Sequence, residues 1–167
     1  MTMPMLNTIA VGDRIPAIDV RLRVDGAPTV VSAAEVLGHG QVVLFAVPGA
    51  FTTGCSTRHL PGYIARAAEL SEKGVDRIAC LSVNDVFVMD AWGREHGVAD
   101  TFTMLADPDA SFTTAVGMQI DASSFGLGLR SKRYAMVISD GVVTALLEEE
   151  NGLSIVNSTA ECVLAVL

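Results

Sequence analysis

The chain has 167 residues, half of them apolar, with a net charge of −8 and a mean hydropathy of +0.45. This length suits one domain with a proper core, spanning residues 1–167. The acidic balance leaves no basic stripe to meet phosphates, which argues against nucleic-acid binding, and no segment approaches the roughly 18 apolar residues of a membrane span. So large an apolar share in a soluble chain points to a buried subunit interface. The N-terminal Met1-Thr-Met-Pro-Met-Leu-Asn7 has no basic flank and no sustained apolar run, so neither a signal peptide nor a transit peptide is expected. Three cysteines at unrelated spacings do not make a secreted disulfide framework, and a reduced, cytoplasmic protein is expected.

In chain order, the first clear element is the apolar, β-branched run 41–47, which predicts a buried strand. Helical spacing follows from about residue 56 to residue 73. A second buried strand is expected over 76–83, and Asn84-Asp85 is a helix N-cap signal for a helix running to His96, where Gly97 stops it. Residues 103–106 read as a short strand. Asp107-Pro108 opens a further helix ending near Gly117, with proline in its first turn. The Ser- and Gly-rich stretch 121–132 reads as a loop. Runs at 134–139 and 142–147 flank Asp140-Gly141, a strong hairpin signal. Ser158-Thr-Ala-Glu161 is a capping box that opens a terminal helix to Leu167. The alternation predicts an α/β fold with a mixed central sheet flanked by helices, parallel in its first units and antiparallel at the hairpin. No internal repeat, low-complexity tract or linker interrupts it.

Between the first strand and the first helix lies Pro48-Gly-Ala-Phe-Thr-Thr-Gly-Cys55. A cysteine where a strand gives way to a helix meets the unpaired N–H groups of the first turn and the positive end of the helix dipole, and both favour the nucleophilic thiolate. By position alone Cys55 reads equally well as a packed structural thiol. Thr52 is either an N-terminal capping hydroxyl or a reacting-site group, and Pro48 either ends the strand or walls a dry pocket around the sulfur. His59 lies four residues past Cys55, on the same face of a regular helix. Such a pair would suit a cysteine protease or a metal site, but there is no ligand cluster of suitable spacing, and His96 lies in another helix. His59 therefore reads as structural or at the pocket edge, and no metal site is expected. Arg130 and Arg133 stand near the entrance of a strand, where a basic residue is ordinarily a solvated charge. Period-2 alternation puts Arg133, Ala135 and Val137 on one face. Cys80 lies mid-strand and Cys162 inside the terminal helix, both as packed thiols. Glu148-Glu-Glu150 reads as a solvated strand end.

The eight-residue motif resembles the active-site motif of peroxiredoxins, thiol peroxidases with a thioredoxin-like fold. Several further blocks follow in the same order as in the type-five (plant type-two) subgroup: His59-Leu-Pro-Gly-Tyr63, Cys80-Leu-Ser-Val-Asn-Asp85, Phe87-Val88, Ala91-Trp92-Gly93, Leu105-Ala-Asp107 and Gly128-Leu-Arg-Ser-Lys-Arg-Tyr134. The likeness runs from about Val11 to the C-terminus, with one departure, Thr53 where members usually have proline. The resemblance implies reduction of hydrogen peroxide and small organic hydroperoxides by the Cys55 thiolate, which becomes a sulfenic acid. Thr52 would then orient the peroxide, Pro48 would exclude water, and Arg133, directly before the aromatic Tyr134, would stabilise developing negative charge. No metal, haem or flavin is implied. For recycling, plant type-two relatives have a cysteine at the position of Cys80, which makes it a candidate resolving thiol with thioredoxin as donor. The cysteine of animal relatives after Gly-Leu-Thr is Ile155 here, so glutathione with glutaredoxin is the expected reductant. A homodimer contacting beside the active-site loop is also implied. The rival readings are a thiol–disulfide oxidoreductase, which usually has Cys-x-x-Cys where this chain has Thr52 and Arg58 around Cys55, and a redox sensor in which Cys55 only signals.

Overall fold

The computed structural model describes residues 8–167; the N-terminal segment with no expected targeting signal, residues 1–7, lies outside the described residues. The described chain opens with an antiparallel hairpin, β1 (Asp19–Val24) and β2 (Ala27–Ser32), followed by the single turn α1 (Ala33–Val36). Next come β3 (Gln41–Ala46), α2 (Leu60–Glu72), β4 (Arg77–Ser82), α3 (Val86–Glu95), β5 (Thr103–Ala106) and α4 (Ser111–Ala115). A small ribbon, β6 (Gln119–Asp121) with β7 (Leu129–Ser131), precedes the hairpin of β8 (Tyr134–Ser139) and β9 (Val142–Glu148) and the terminal α5 (Ala160–Leu164). Seven strands form one sheet in the order β2-β1-β5-β4-β3-β8-β9. The β3–β4 and β4–β5 pairs are parallel, and β3–β8 and β8–β9 are antiparallel, as the alternation of elements predicts.

The pleat of β3 divides the core in two. Val43, Phe45 and Val47 pack with α2, α3 and α5, while Val42, Leu44 and Ala46 pack with α1 and α4 on the other face. Both sets are fully buried, so β3 reads as a continuous apolar run rather than an alternating one. Arg133 was placed by alternation with Ala135 and Val137; those two residues do face α2 and α5, the side that holds Cys55. At the β8–β9 turn, Asp140 and Gly141 both take positive φ, 46° and 85°, as a two-residue hairpin of matching twist demands.

Three sequence expectations need correction, and one hairpin joins the expected elements. The hairpin at 19–32 is an addition to the expected elements, although Asp19–Val24 alternates polar and apolar residues and Asp25-Gly26 is a two-residue turn signal. The helix expected from Asp107-Pro108 begins only at Ser111, because Ala110 adopts a left-handed conformation (φ 55°). Asp107 caps it from a distance, its carboxylate accepting the N–H groups of Phe112 and Thr113 at 3.1 and 2.8 Å, so Pro108 lies in the turn ahead of the helix. The stretch 121–132 is not all loop, since β7 pairs with β6 there. The terminal helix is capped by Thr159, whose hydroxyl accepts the Cys162 N–H at 3.3 Å, rather than by Ser158, and it ends at Leu164.

Candidate active site

Backbone pairing carries β3 one residue past its end, with Val47 N–H donating to Leu81 O at 3.0 Å. The chain then leaves the sheet at the buried Pro48. Phe51 takes a positive φ of 64°, a conformation that costs a non-glycine residue on the order of 1 kcal/mol. The loop is held against this strain. Asn84 Oδ1 accepts the Ala50 N–H at 3.0 Å and the Ser82 hydroxyl at 2.7 Å. The Asn84-Asp85 cap signal of α3 is borne out at its second residue. The cap is Asp85, which accepts the Val88 N–H, and this frees Asn84 to clamp the loop. The Thr52 hydroxyl donates to Gly49 O at 2.7 Å, an arrangement that fixes its rotamer and leaves its lone pairs free to accept; it makes no capping bond.

Gly54 is already helical (φ −64°, ψ −38°), and Cys55–His59 forms a five-residue π-helical turn that leads into α2. The regular helix expected from residue 56 is therefore wound wider at its start. Leu60 N–H reaches back to Cys55 O, a five-residue step. Trp92 of α3 pins this turn by donating from its indole nitrogen to the Ser56 hydroxyl at 2.9 Å. Cys55 itself is fully buried beneath these contacts.

Arg133 arrives from the other end of the fold. It is only 6 % exposed, yet it bridges two elements, Nε donating to Leu153 O at 2.8 Å and Nη1 to His59 Nδ1 at 3.1 Å. Its Nη2 lies 2.9 Å from where a Cβ on Gly54 would stand. Glycine directly before Cys55 thus makes room for a guanidinium. Arg130 has a different employment, donating to Leu127 O and Val83 O, both at 2.8 Å, so it ties loops together.

His59 is the contact that sequence reasoning placed only at the pocket edge. It is 1 % exposed, its Nε2 donates to Ser158 O at 3.0 Å, and its Nδ1 accepts from Arg133. Burial lowers its pKa to about 4, with Arg133 pushing the same way against the Ser158 carbonyl, so the ring is neutral at physiological pH. Tyr63, stacked on Phe45 at a centroid distance of 3.9 Å, donates its hydroxyl to the same Ser158 carbonyl at 2.7 Å.

The acidic run 148–150 is not a solvated strand end throughout. Glu149 is 4 % exposed and accepts the Ser158 hydroxyl at 2.6 Å and backbone N–H groups of Val156, Asn157 and Ser158. Burial alone would raise its pKa. The Ser158 hydroxyl and those backbone donors outweigh burial and hold the carboxyl below its ordinary range. Nothing in a triplet of glutamates marks the middle one as buried, other than its place where β9 leaves the sheet.

Cys80 sits in the middle of β4, paired with Phe45 and Met104. Burial pushes its thiol pKa well up, and a charge on Cys55 would push it further, while Arg133 opposes both. Cys162 is partly exposed on α5, its thiol donating to Val156 O at 3.2 Å. Among the described residues no group of three or more His, Cys, Asp and Glu side chains converges as a metal site, and no helix is long and apolar enough to cross a membrane.

The Redoxin family model matches residues 10–164. The chain is similar to chloroplastic peroxiredoxin-2E of Arabidopsis thaliana, 42 % identical over 99 % of this chain and 72 % of the relative. It is likewise similar to chloroplastic peroxiredoxin-2E-2 of Oryza sativa subsp. japonica, 47 % identical over 97 % of this chain and 74 % of the relative. Among solved structures, reduced Prx3 of Vibrio vulnificus in complex with hydrogen peroxide superposes with a TM-score of 0.90 at 48 % identity, covering 95 % of this chain and 99 % of that one.

Proposed function

We propose site roles and a reductant for this chain, which belongs to the Redoxin family and is a peroxiredoxin, a thiol-dependent peroxidase of thioredoxin-like fold. In this reading Cys55 is the peroxidatic sulfur. Its thiolate attacks one oxygen of the peroxide, the S–O bond forms as the O–O bond breaks, and the leaving hydroxide or alkoxide takes a proton to become water or an alcohol. Sulfur is oxidised by two electrons to the sulfenic acid. Thr52 accepts the peroxide O–H while donating to Gly49 O. Pro48 keeps water from the sulfur, and Arg133 stabilises the negative charge before and during O–O cleavage. The observation that carries the assignment is the approach of Arg133 Nη2 to Gly54, the neighbour of Cys55, from a strand entered far along the chain. Cys55→Ser tests it: peroxide turnover is expected to vanish, while Cys80→Ser and Cys162→Ser still form a sulfenic acid with one equivalent of peroxide. More than trace turnover by Cys55→Ser would overturn the reading.

For recycling, glutathione with glutaredoxin is the proposed reductant. The glutathione sulfur attacks the sulfenic sulfur as a thiolate, and the S–S bond forms as the S–O bond breaks. The expelled hydroxide takes the proton the thiol gave up and leaves as water, and a second thiol reduces the mixed disulfide. The buried, neutral thiol of Cys80 supports a cycle without an internal bridge, because the π-helical turn would have to unwind before Cys55 could reach a mid-strand partner. A cavity of about 380 Å³ beside His59 is lined by Arg58, a cation that suits a carboxylate of the tripeptide, and by Arg66 and Glu161, which pair with each other at 3.0 Å. Denaturing mass spectrometry after one equivalent of peroxide reads the outcome. Cys80 and Cys162 should remain free thiols, and rapid Cys55–Cys80 linkage would make thioredoxin the donor.

A homodimer is proposed through the face beside the active-site loop. Phe51, Phe87, Phe125 and Leu129 are exposed there, on segments that the Asn84–Ala50 and Arg130–Val83 bonds draw together. The reducing cytoplasm is the proposed setting, in keeping with three free cysteines.

A further inference from the structure

Glu149 and Ser158 lie outside every block that carries the family resemblance, yet they end a buried chain of hydrogen bonds that begins at Arg133. We propose that Glu149 is a positioning residue for peroxide reduction, acting through the Ser158 carbonyl and His59 to hold the Arg133 guanidinium beside Cys55. The inference rests on Arg133 serving the Cys55 thiolate as described above.

The geometry runs in one direction. The Glu149 carboxylate gathers the N–H groups of Asn157 and Ser158 at 2.9 and 2.8 Å and the Ser158 hydroxyl at 2.6 Å. Four donors on one carboxylate, counting Val156 N–H at 3.0 Å, leave that segment little freedom. The Ser158 carbonyl is thereby turned inward, where it accepts both His59 Nε2–H and the Tyr63 hydroxyl. A proton fixed on Nε2 makes Nδ1 an obligatory acceptor. Arg133 Nη1 donates to that lone pair, and Arg133 Nε donates to Leu153 O, on the stretch that leads into the Glu149-bound turn. The backbone closes the clasp, since Glu149 N–H faces Arg133 O at 3.4 Å and Arg133 N–H donates to Gly152 O at 2.8 Å. With Nε and Nη1 both engaged, the Nη2 edge is the one presented at Gly54, the residue before Cys55.

A planar cation must meet both thiolate and peroxide within a narrow angular range to be of use. A carboxylate that fixes the histidine tautomer fixes that angle without touching the reacting atoms, as outer groups do for ligating histidines. Replacing Glu149 by glutamine puts an NH2 group where only acceptors fit, so the Ser158 turn must loosen.

The test is a double-mutant cycle on the rate of Cys55 oxidation by hydrogen peroxide, followed by the fluorescence of Trp92, the single tryptophan, which is bonded to the π-helical turn. Glu149→Gln is expected to slow oxidation about tenfold in the native background and less than twofold in the Arg133→Gln background. The ¹⁵N signals of His59 should show the Nε2–H tautomer in the native protein and a mixture in Glu149→Gln. An equal slowing in both backgrounds, or an unchanged His59 signature in a folded Glu149→Gln, overturns the inference and leaves Arg133 in its role. An Arg133→Gln protein that oxidises at the native rate removes the premise itself, and the inference falls with it. Should Glu149→Gln fail to fold, Ser158→Ala, which deletes the hydroxyl that donates to Glu149 at 2.6 Å and lies 3.4 Å from His59 Nε2, is expected to slow oxidation about threefold with the same loss of effect beside Arg133→Gln. Additive slowing by Ser158→Ala would likewise overturn it.

Discussion

The two faces of the central sheet use the same strands and bury polar groups to different ends. On the face covered by α2, α3 and α5, the buried His59, Tyr63, Arg133, Glu149 and Ser158 are joined by hydrogen bonds into one network, and each polar side chain has a partner. On the face covered by α1 and α4, the Tyr134 hydroxyl and the Thr113 hydroxyl are buried without a partner. A buried polar atom left unpaired costs on the order of 1–3 kcal/mol, and on this face the one buried carboxylate, Asp107, is engaged in capping α4. On the opposite face four polar side chains, His59, Tyr63, Glu149 and Ser158, are linked by hydrogen bonds to a single guanidinium. The difference sets the face of the proposed site apart from the other without appeal to a ligand.

The largest expected effect breaks the comparison at the guanidinium. Arg133→Gln should slow single-turnover oxidation of Cys55 about a hundredfold, the usual consequence of losing one charge-stabilising donor in a dry site, or roughly 3 kcal/mol. Arg130→Gln, which removes bonds to Leu127 O and Val83 O, should slow it less than fivefold. Stopped-flow fluorescence distinguishes them, and the reverse order would transfer the role to Arg130.

How much of this could be read from the residues differs between the two faces for a physical reason. The strands β3, β4 and β8 announced themselves as apolar runs, and Asp140-Gly141 announced its hairpin, because such signals are local. The loop from Pro48 to Cys55 was legible for the same reason. Contacts such as Arg133 with His59 or Glu149 with Ser158 join residues whose separation in sequence carries no periodicity, and only the folded register brings them together. The Asn84-Asp85 signal marked the start of α3 correctly through Asp85, but a side-chain amide before a helix has the same signature whether it caps the helix or clamps a loop, so the clamp by Asn84 was not legible. Ser158 was misassigned because two adjacent hydroxyl residues compete for one capping position, and the carboxylate of Glu149 claims the first.

A pH titration sharpens the comparison at His59. The folded-state pKa is lowered from 6.5 to about 4, so between those values the unfolded chain binds the additional proton. Stability should therefore be fully present above pH 6.5 and fall as the pH drops towards 4. From pH 7 to pH 5 this group alone accounts for a loss of about 2 kcal/mol. His59→Gln can accept from Arg133 and donate to Ser158 O without titrating, so its urea unfolding should show a correspondingly flatter dependence over that window. Equal slopes in the two proteins would mean that His59 is protonated in the fold, contrary to its role as acceptor.

The smallest effects come from a matched pair of tyrosines, one on each face. Tyr63 and Tyr134 are both fully buried, and both carry pKa values raised first of all by that burial. Deleting the hydroxyl removes the same atom from each, so differences in area and cavity nearly cancel. Tyr63→Phe takes one of two donors from the Ser158 carbonyl, and a net hydrogen bond of this kind contributes about 1 kcal/mol. Tyr134→Phe removes an oxygen that has no partner and that burial has stripped of water, so the variant should unfold at an equal or higher urea concentration. Activity should follow the same division. Tyr63→Phe leaves His59 as the sole donor to Ser158 O and slows peroxide oxidation two- to threefold, on the order of the rate change that a partial loosening allows. Tyr134→Phe, whose ring faces α1 and α4, leaves the rate where it was. Were both variants to lose stability equally, the Tyr134 hydroxyl would have a bound water as its partner, and the two faces would differ in the identity of their polar partners rather than in having them.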